Sequence, residues 1–230
     1  MYEGKTIGAV LLMGGQGLRF GSEVPKQFHL LGETMIYCYP LDTLIRSALF
    51  DEIVLVCPPN RMDIPEDHVA KGGATRQESS YLGILAFKQR PDIVLIHDAV
   101  RPFVTLRILK DNVEGAVRWG AVDTCIPSAD TLVYAPYRER IESIPIREHY
   151  LRGQTPQTFR MDWILEAHER ALADGIKNAS DDCSLVLRLG KQVHIVAGDE
   201  TNIKITSEFD LAIAKNLLKI QAAREKNKNL

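Results

Sequence analysis

Ile7-Gly8-Ala9-Val10-Leu11-Leu12-Met13-Gly14-Gly15-Gln16-Gly17-Leu18-Arg19-Phe20-Gly21 runs from an apolar stretch into glycines. The unbroken apolar run over 7–12 reads as a strand buried on both faces, the kind found in parallel sheets. Residues 52–57 (EIVLVC) and 92–96 (DIVLI) repeat the pattern. Apolar residues recur at helical spacing within 77–89, over 105–119 through Leu109, Val113, Ala116 and Val117, and from Met161 through Ile164, Leu165, His168 and Leu172. Strands alternating with helices predict an α/β fold, Rossmann-like, with a mainly parallel sheet and flanking helices.

Two segments break that rhythm. Residues 57–73 carry Pro58, Pro59 and Pro65, then Gly72-Gly73, which makes a poor helix. Residues 130–144 read as strand, turn and strand, with little apolar surface to form a core of their own. Such a β-hairpin arm, about 127–150, must lean on the main body or on a second subunit. A last helix is expected over 207–224, with Ser207 as N-cap and Glu208 and Asp210 in its first turn, and fraying over 225–230. With no repeat and no low-complexity linker, residues 1–230 are expected to form a single domain with this protruding arm.

Composition excludes several classes. The chain has 28 basic against 30 acidic residues, a formal charge of −2, which argues against a protein held to nucleic acid by bulk charge. No apolar stretch reaches the roughly 18 residues of a membrane span, and Met1-Tyr2-Glu3-Gly4-Lys5 lacks a secretory pattern. Cys38, Cys57, Cys125 and Cys183 lie far apart with no C-x-x-C pair, so reduced thiols in a cytoplasmic enzyme are expected.

The glycine loop follows a strand where α/β sheets bind ligands, and its small residues let backbone N–H groups approach a phosphate. The dinucleotide fingerprint fails, because the third glycine arrives one position late at Gly21, and no Walker A loop occurs. A ligand-free glycine turn remains open for the loop alone. Arg19 inside it and Lys26 after it place two cations beside exposed amides, which suits a triphosphate.

G-G-x-G-x-R-x-G followed by Pro25-Lys26-Gln27 resembles the signature loop of the sugar-phosphate nucleotidyltransferases. More narrowly, it resembles the 2-C-methyl-D-erythritol 4-phosphate cytidylyltransferases. Five further segments resemble that family in the same order: Gly72-Gly73-Ala74-Thr75-Arg76 with Ser79, His97-Asp98-Ala99-Val100-Arg101-Pro102-Phe103, Gln154-Thr155-Pro156-Gln157-Thr158-Phe159, Ser180-Asp181-Asp182, and Asn202-Ile203-Lys204-Ile205-Thr206. The chain departs from the family at Met13-Gly14-Gly15, where Ala-Ala-Gly is more usual, and in a shorter 58–71 segment.

The resemblance implies attack of a sugar-alcohol phosphate on the α-phosphorus of CTP, with release of pyrophosphate and no covalent enzyme intermediate. Such transfers rest on positioning and charge stabilisation. It implies catalytic contacts to the triphosphate from Arg19, Lys26 and Lys204, the last at a strand end. It implies CTP binding by Met13, Gly14, Gly15, Gly17, Gly72, Gly73, Ser79, Asp98 and Ala99, with the base beside the glycine pair. Asp98 suits Mg²⁺ as a metal-side carboxylate, or else caps Arg101 in an intraloop ion pair. His97, with no second histidine at ligand spacing, is expected to be structural. Acceptor contacts are implied for Arg101, Thr131, Arg147, Thr155 and Ser180. The arm implies a homodimer in which Arg147 reaches the neighbour's site, and no membrane or nucleic-acid partner is expected. The acceptor expected first is 2-C-methyl-D-erythritol 4-phosphate, with ribitol 5-phosphate or another pentitol phosphate as the alternative. A nicotinamide-dependent dehydrogenase and a non-catalytic nucleotide-binding module are the readings from other classes.

Overall fold

The computed structural model describes residues 1–14, 24–58 and 69–228. In chain order it contains β1 (Ile7–Leu12), β2 (Leu30–Leu31), β3 (Thr34–Met35), α1 (Cys38–Ser47), β4 (Glu52–Cys57), β5 (Val69–Lys71), α2 (Arg76–Leu85) and β6 (Ile93–Asp98). There follow α3 (Leu106–Trp119), β7 (Ala121–Pro127), β8 (Leu151–Arg160), α4 (Met161–Ala173), α5 (Asp182–Arg188), β9 (His194–Ala197) and α6 (Glu208–Lys228).

Seven strands form one sheet in the order β5-β4-β1-β6-β8-β7-β9. All neighbours pair in parallel except β8, which runs antiparallel to β6 and β7. Every residue of β1 is buried, as an unbroken apolar run requires. Ile7, Ala9 and Leu11 pack with Leu44 of α1 and Leu109 and Val113 of α3. Val10, with Val54, Ile96 and Phe159, packs with Ile84 of α2, Ile164 of α4 and Leu185 of α5. Each such aliphatic side chain contributes about 1.5–3 kcal/mol by leaving water.

Helix α2 sits directly on the sheet. A Cβ built on Gly83 would stand 2.6 Å from Val10 Cγ1 and 2.7 Å from Val56 Cγ2. The Gly83→Ala variant is therefore expected to lose about 1–3 kcal/mol by overpacking, despite alanine's better helix propensity. Urea midpoints report it, and an unchanged or raised midpoint would contradict this close approach.

Several details differ from the sequence reading. Strand β6 continues through Asp98, which becomes its last residue. The proline-rich stretch ends in the short strand β5, parallel to β4. Helix α2 stops at Leu85, and α6 runs on to Lys228, into the stretch expected to fray. The arm is not a full hairpin ladder: one antiparallel bridge, Tyr134 with Ser143, joins its limbs. Val133, Tyr137, Ile141, Ile144 and Ile146 in it are exposed, so no local core holds a longer ladder. No helix among the described residues is long and apolar enough to cross a membrane.

Candidate active site

The carboxyl ends of β1 and β6, the start of α2 and the 202–206 segment enclose a cleft of about 320 Å³. Met13, Gly14, Lys26, Arg76, Asp98 and Lys204 all line it. Local chemistry explains why each piece sits there. Thr75 caps α2, its Oγ1 accepting from the Glu78 N–H at 3.1 Å, while Glu78 Oε2 accepts from the Ala74 N–H at 2.7 Å. This fixes the entry of α2 and so the direction of Arg76. The Lys204 segment is not a strand, contrary to expectation. It is pinned by the Ile205 N–H to the Val100 carbonyl, 2.9 Å away, and is followed by a capping box at α6. There Asp210 Oδ2 accepts from the Ser207 N–H at 2.9 Å, and Ser207 Oγ accepts from the Asp210 N–H at 3.3 Å.

Asp98 is the electrostatic centre. Its carboxylate lies 2.6 Å from Lys204 Nζ and 3.5 Å from Arg76 Nε. Burial alone would raise its pKa, but the charges of Lys204, Arg76 and Arg101 outweigh burial and hold it well below the usual carboxylate range. The alternative Asp98–Arg101 side-chain pair gives way to these two cations. Arg76 also reaches Asp182 at 2.8 Å, and Asp182 meets His168 Nε2 at 3.1 Å. Burial raises the Asp182 carboxyl, and the charge of Arg76 followed by the His168 contact brings it down to about 2. A chain of polar contacts thus runs His168–Asp182–Arg76–Asp98–Lys204, with both carboxylates buried and the two cations partly exposed.

His97 is structural. Its ring is fully buried, with Nδ1 3.0 Å from Thr155 Oγ1 and Nε2 3.3 Å from the Arg101 carbonyl. Burial lowers its pKa to about 4, so it is neutral at pH 7. Arg101 is nearly buried and donates from Nη1 to the Asn202 carbonyl at 2.8 Å, while its buried Nε has no partner among the described residues.

The resemblance sends Ser79 to the base and Thr155 to the acceptor, but both hydroxyls are engaged inside the fold. Ser79 Oγ donates to the Thr75 carbonyl and accepts from the Gly73 N–H. Thr155 Oγ1 joins His97 and accepts from the Asp98 N–H at 3.1 Å. Ser79 still lines the cleft, and Thr155 supports it from behind Asp98. Gly14 packs so tightly that a Cβ there would lie 2.9 Å from Ser79 Oγ, which explains a glycine beside Met13. Gly72 donates its N–H to the Cys57 carbonyl at 2.7 Å, and Ala99 is buried behind Asp98 with its N–H on the Leu12 carbonyl. Thr131, Arg147 and Ser180 are exposed and do not line the cleft. Arg147 donates to the Ala129 carbonyl at 3.1 Å and lies 3.7 Å from Glu148. Gly15, Gly17 and Arg19 lie outside the described residues.

Arg76 and Asp182 are site residues that the sequence reading passed over. Both stand inside motifs it used, G-G-x-x-R-x-x-S and S-D-D, where the glycines and serines drew the reading.

Comparison with known proteins follows the same lines. The family described as 2-C-methyl-D-erythritol 4-phosphate cytidylyltransferase matches residues 7–220. A ribitol-5-phosphate cytidylyltransferase of Lactiplantibacillus plantarum is 35% identical over 227 residues, covering 91% of this chain and 97% of the relative. Among solved structures, 4-diphosphocytidyl-2C-methyl-D-erythritol synthase of Anaerococcus prevotii superposes with a TM-score of 0.83 at 29% identity, over 94% of this chain and 100% of that one. The 2-C-methyl-D-erythritol 4-phosphate cytidylyltransferase of Thermus thermophilus gives 0.78 at 33% identity, over 91% and 98%.

Proposed function

This chain belongs to the 2-C-methyl-D-erythritol 4-phosphate cytidylyltransferase family, and from that premise we propose that it transfers CMP from CTP to ribitol 5-phosphate or a similar linear polyol phosphate. The cytidylyltransferase chemistry rests on the convergence of Lys26, Lys204 and Arg76 around Asp98 in one cleft. The acceptor rests on the Lactiplantibacillus relative, and the preference for methylerythritol phosphate drawn from the motifs does not carry over. Methylerythritol phosphate remains the second reading, supported by the likeness to the Thermus enzyme.

In the reaction an acceptor phosphate oxygen forms a bond to the α-phosphorus of CTP. The bond from that phosphorus to the bridging oxygen breaks, and pyrophosphate leaves with the electron pair. A dianionic acceptor phosphate needs no proton removed. Lys204 can give one of its three N–H donors to Asp98 and keep two for phosphate oxygens. Arg76 has a buried Nη2 with no partner among the described residues, beside the same carboxylate. Lys26 adds a further cation at the cleft wall. Fixed cations of this kind stabilise charge that builds up in the transition state.

The donor set also fits Mg²⁺ in its usual manner, one protein carboxylate with phosphate and water oxygens completing the shell. Asp98 would hold the ion, which would supply charge neutralisation at the triphosphate. Among the described residues no group of three His, Cys, Asp or Glu could form an all-protein cage.

The arm supports a homodimer. Its exposed apolar side chains have no cover among the described residues, and Arg147 stands on it away from the cleft. The Arg147→Ala variant is expected to raise the acceptor KM about 10- to 100-fold, the range for a lost charged hydrogen-bond pair. Its KM for CTP should stay within about twofold. An unchanged acceptor KM and kcat would remove Arg147 from the acceptor site.

Pyrophosphate release with CTP and each polyol phosphate tests the function itself. The expected result is faster turnover of ribitol 5-phosphate. Turnover of methylerythritol phosphate alone would move the assignment to the second reading, and turnover of neither would overturn both acceptors.

A further inference from the structure

Asp98 of β6 and Asp123 of β7 lie on sheet strands, Asp182 opens α5, and Asp98 and Asp182 each hold a cation. Asp98 has Lys204 and Arg76, and Asp182 has Arg76 and His168. Asp123 of β7 is different. Its hydrogen bonds come from neutral donors: Gln157 Nε2 at 3.0 Å, the Cys125 thiol at 3.5 Å, and backbone at Thr124. Asp181 adds like charge nearby, and Arg101 acts on Asp123 from beyond ion-pair distance. Burial pushes the Asp123 carboxyl up to about 6, against the pull of these bonds.

Its position links it to the site. Asp123 pairs in register with Gln157, and Gln157 pairs with Ile96, two residues before Asp98. Gln157 also accepts from the Asp182 N–H through Oε1, at 3.1 Å. On its other side the carboxylate borders Gly153, whose missing Cβ would stand in contact with Oδ2 at 3.4 Å, and Asp123 as a whole keeps part of its surface exposed. Arg101 Nε, buried and without a partner among the described residues, belongs to the same neighbourhood.

We propose that Asp123 is a specificity residue of the acceptor site, its carboxylate accepting a hydroxyl of a linear polyol phosphate. The proposal rests on the cytidylyltransferase reading above and sharpens its acceptor class. A hydroxyl is a neutral donor and needs no counter-charge. A methyl branch presented at the same place leaves the carboxylate desolvated and short of a donor.

Stability argues in the same direction. The folded pKa of about 6 lies above the unfolded value, about 3.9 for aspartate. The folded carboxyl is thus favoured below about pH 4, and stability is lost as pH rises through about 6. A side chain that weakens the fold at neutral pH, where asparagine of the same shape would not, fits a functional demand.

The test is the Asp123→Asn variant, with both polyol phosphates and CTP. The expected result has three parts. The variant melts about 2–4 °C higher than the parent at pH 8, and kcat/KM for ribitol 5-phosphate falls about 10- to 100-fold relative to methylerythritol phosphate. The KM for CTP stays within about twofold. An unchanged ratio between the two acceptors overturns the proposal, whatever happens to the melting point. Parent enzyme that uses methylerythritol phosphate alone also overturns it, yet leaves the transferase reading standing. Parent enzyme that uses CTP with neither acceptor sinks that reading as well.

Discussion

The Lys204→Met variant is expected to lose about 10²- to 10³-fold in kcat with CTP and acceptor, the usual effect of deleting one preorganised donor at developing charge. Methionine keeps the length and most of the apolar stem, so packing changes little. What disappears is the ammonium 2.6 Å from Asp98. Its removal acts twice. On the proposed reaction the transition state loses a cation beside the phosphates, and Asp98, with a side chain only 8% exposed, is left with Arg76 at 3.5 Å. A carboxylate that loses its strongest attractive partner returns toward the protonated form its burial favours. The rate of the variant should therefore fall further as pH drops from 7 toward 5, more steeply than that of the parent. Single-turnover kinetics under saturating CTP separate this from a binding defect. A kcat within tenfold of the parent would remove Lys204 from the chemistry and reduce it to a clamp on Asp98.

What the sequence made legible follows from how each part is buried. Strands β1, β4 and β6 lie inside a sheet covered on both faces, so each shows as an apolar run. Strand β8 was not readable that way, although residues 154–159 are all buried. Its interior is polar and satisfied by partners: Gln154 meets Asn202, Thr155 meets His97, Gln157 meets Asp123, and Thr158 meets Asn112. Hydrophobic periodicity is silent on a strand buried through hydrogen bonds. The same limit applies at the site. Lys204 and Asp98 stood out because they occupy motif positions with chemistry of their own. Arg76 and Asp182 act through a contact between residues 106 positions apart, which only the folded chain creates. The arm shows the reverse case. Its sequence pattern promises a hairpin, yet one bridge forms, because strand propensity without a face to bury does not hold a ladder.

Asp182 is where that hidden organisation can be broken with the largest effect on stability. Its side chain is only 1% exposed and meets two donors, Arg76 at 2.8 Å and His168 at 3.1 Å. The Asp182→Asn variant keeps the shape and removes the charge. Taking one partner from a buried pair leaves the other uncompensated, at about 3–5 kcal/mol. Arg76 would be that partner, held between Asp98 and a neutral amide. The sign of the pH dependence is fixed by the direction of the shift. The folded pKa of Asp182, about 2, lies below the unfolded value, so its contribution is complete above about pH 4. It is lost as pH falls toward 2, where the parent carboxyl becomes neutral like the amide. Urea midpoints of parent and variant should differ strongly at pH 7, differ by about half as much at pH 3, and converge only below about pH 2. His97, neutral in the fold with a pKa of about 4 against about 6.5 unfolded, weakens both proteins as pH falls from about 6.5 toward 4. That common loss cancels in the difference. A gap at pH 7 under about 1 kcal/mol would show that Asp182 does not brace Arg76, as would a gap that persists unchanged at pH 3. Loss of the brace should also reach the cleft: with Arg76 free to shift from Asp98, the KM for CTP should rise about tenfold in the same variant.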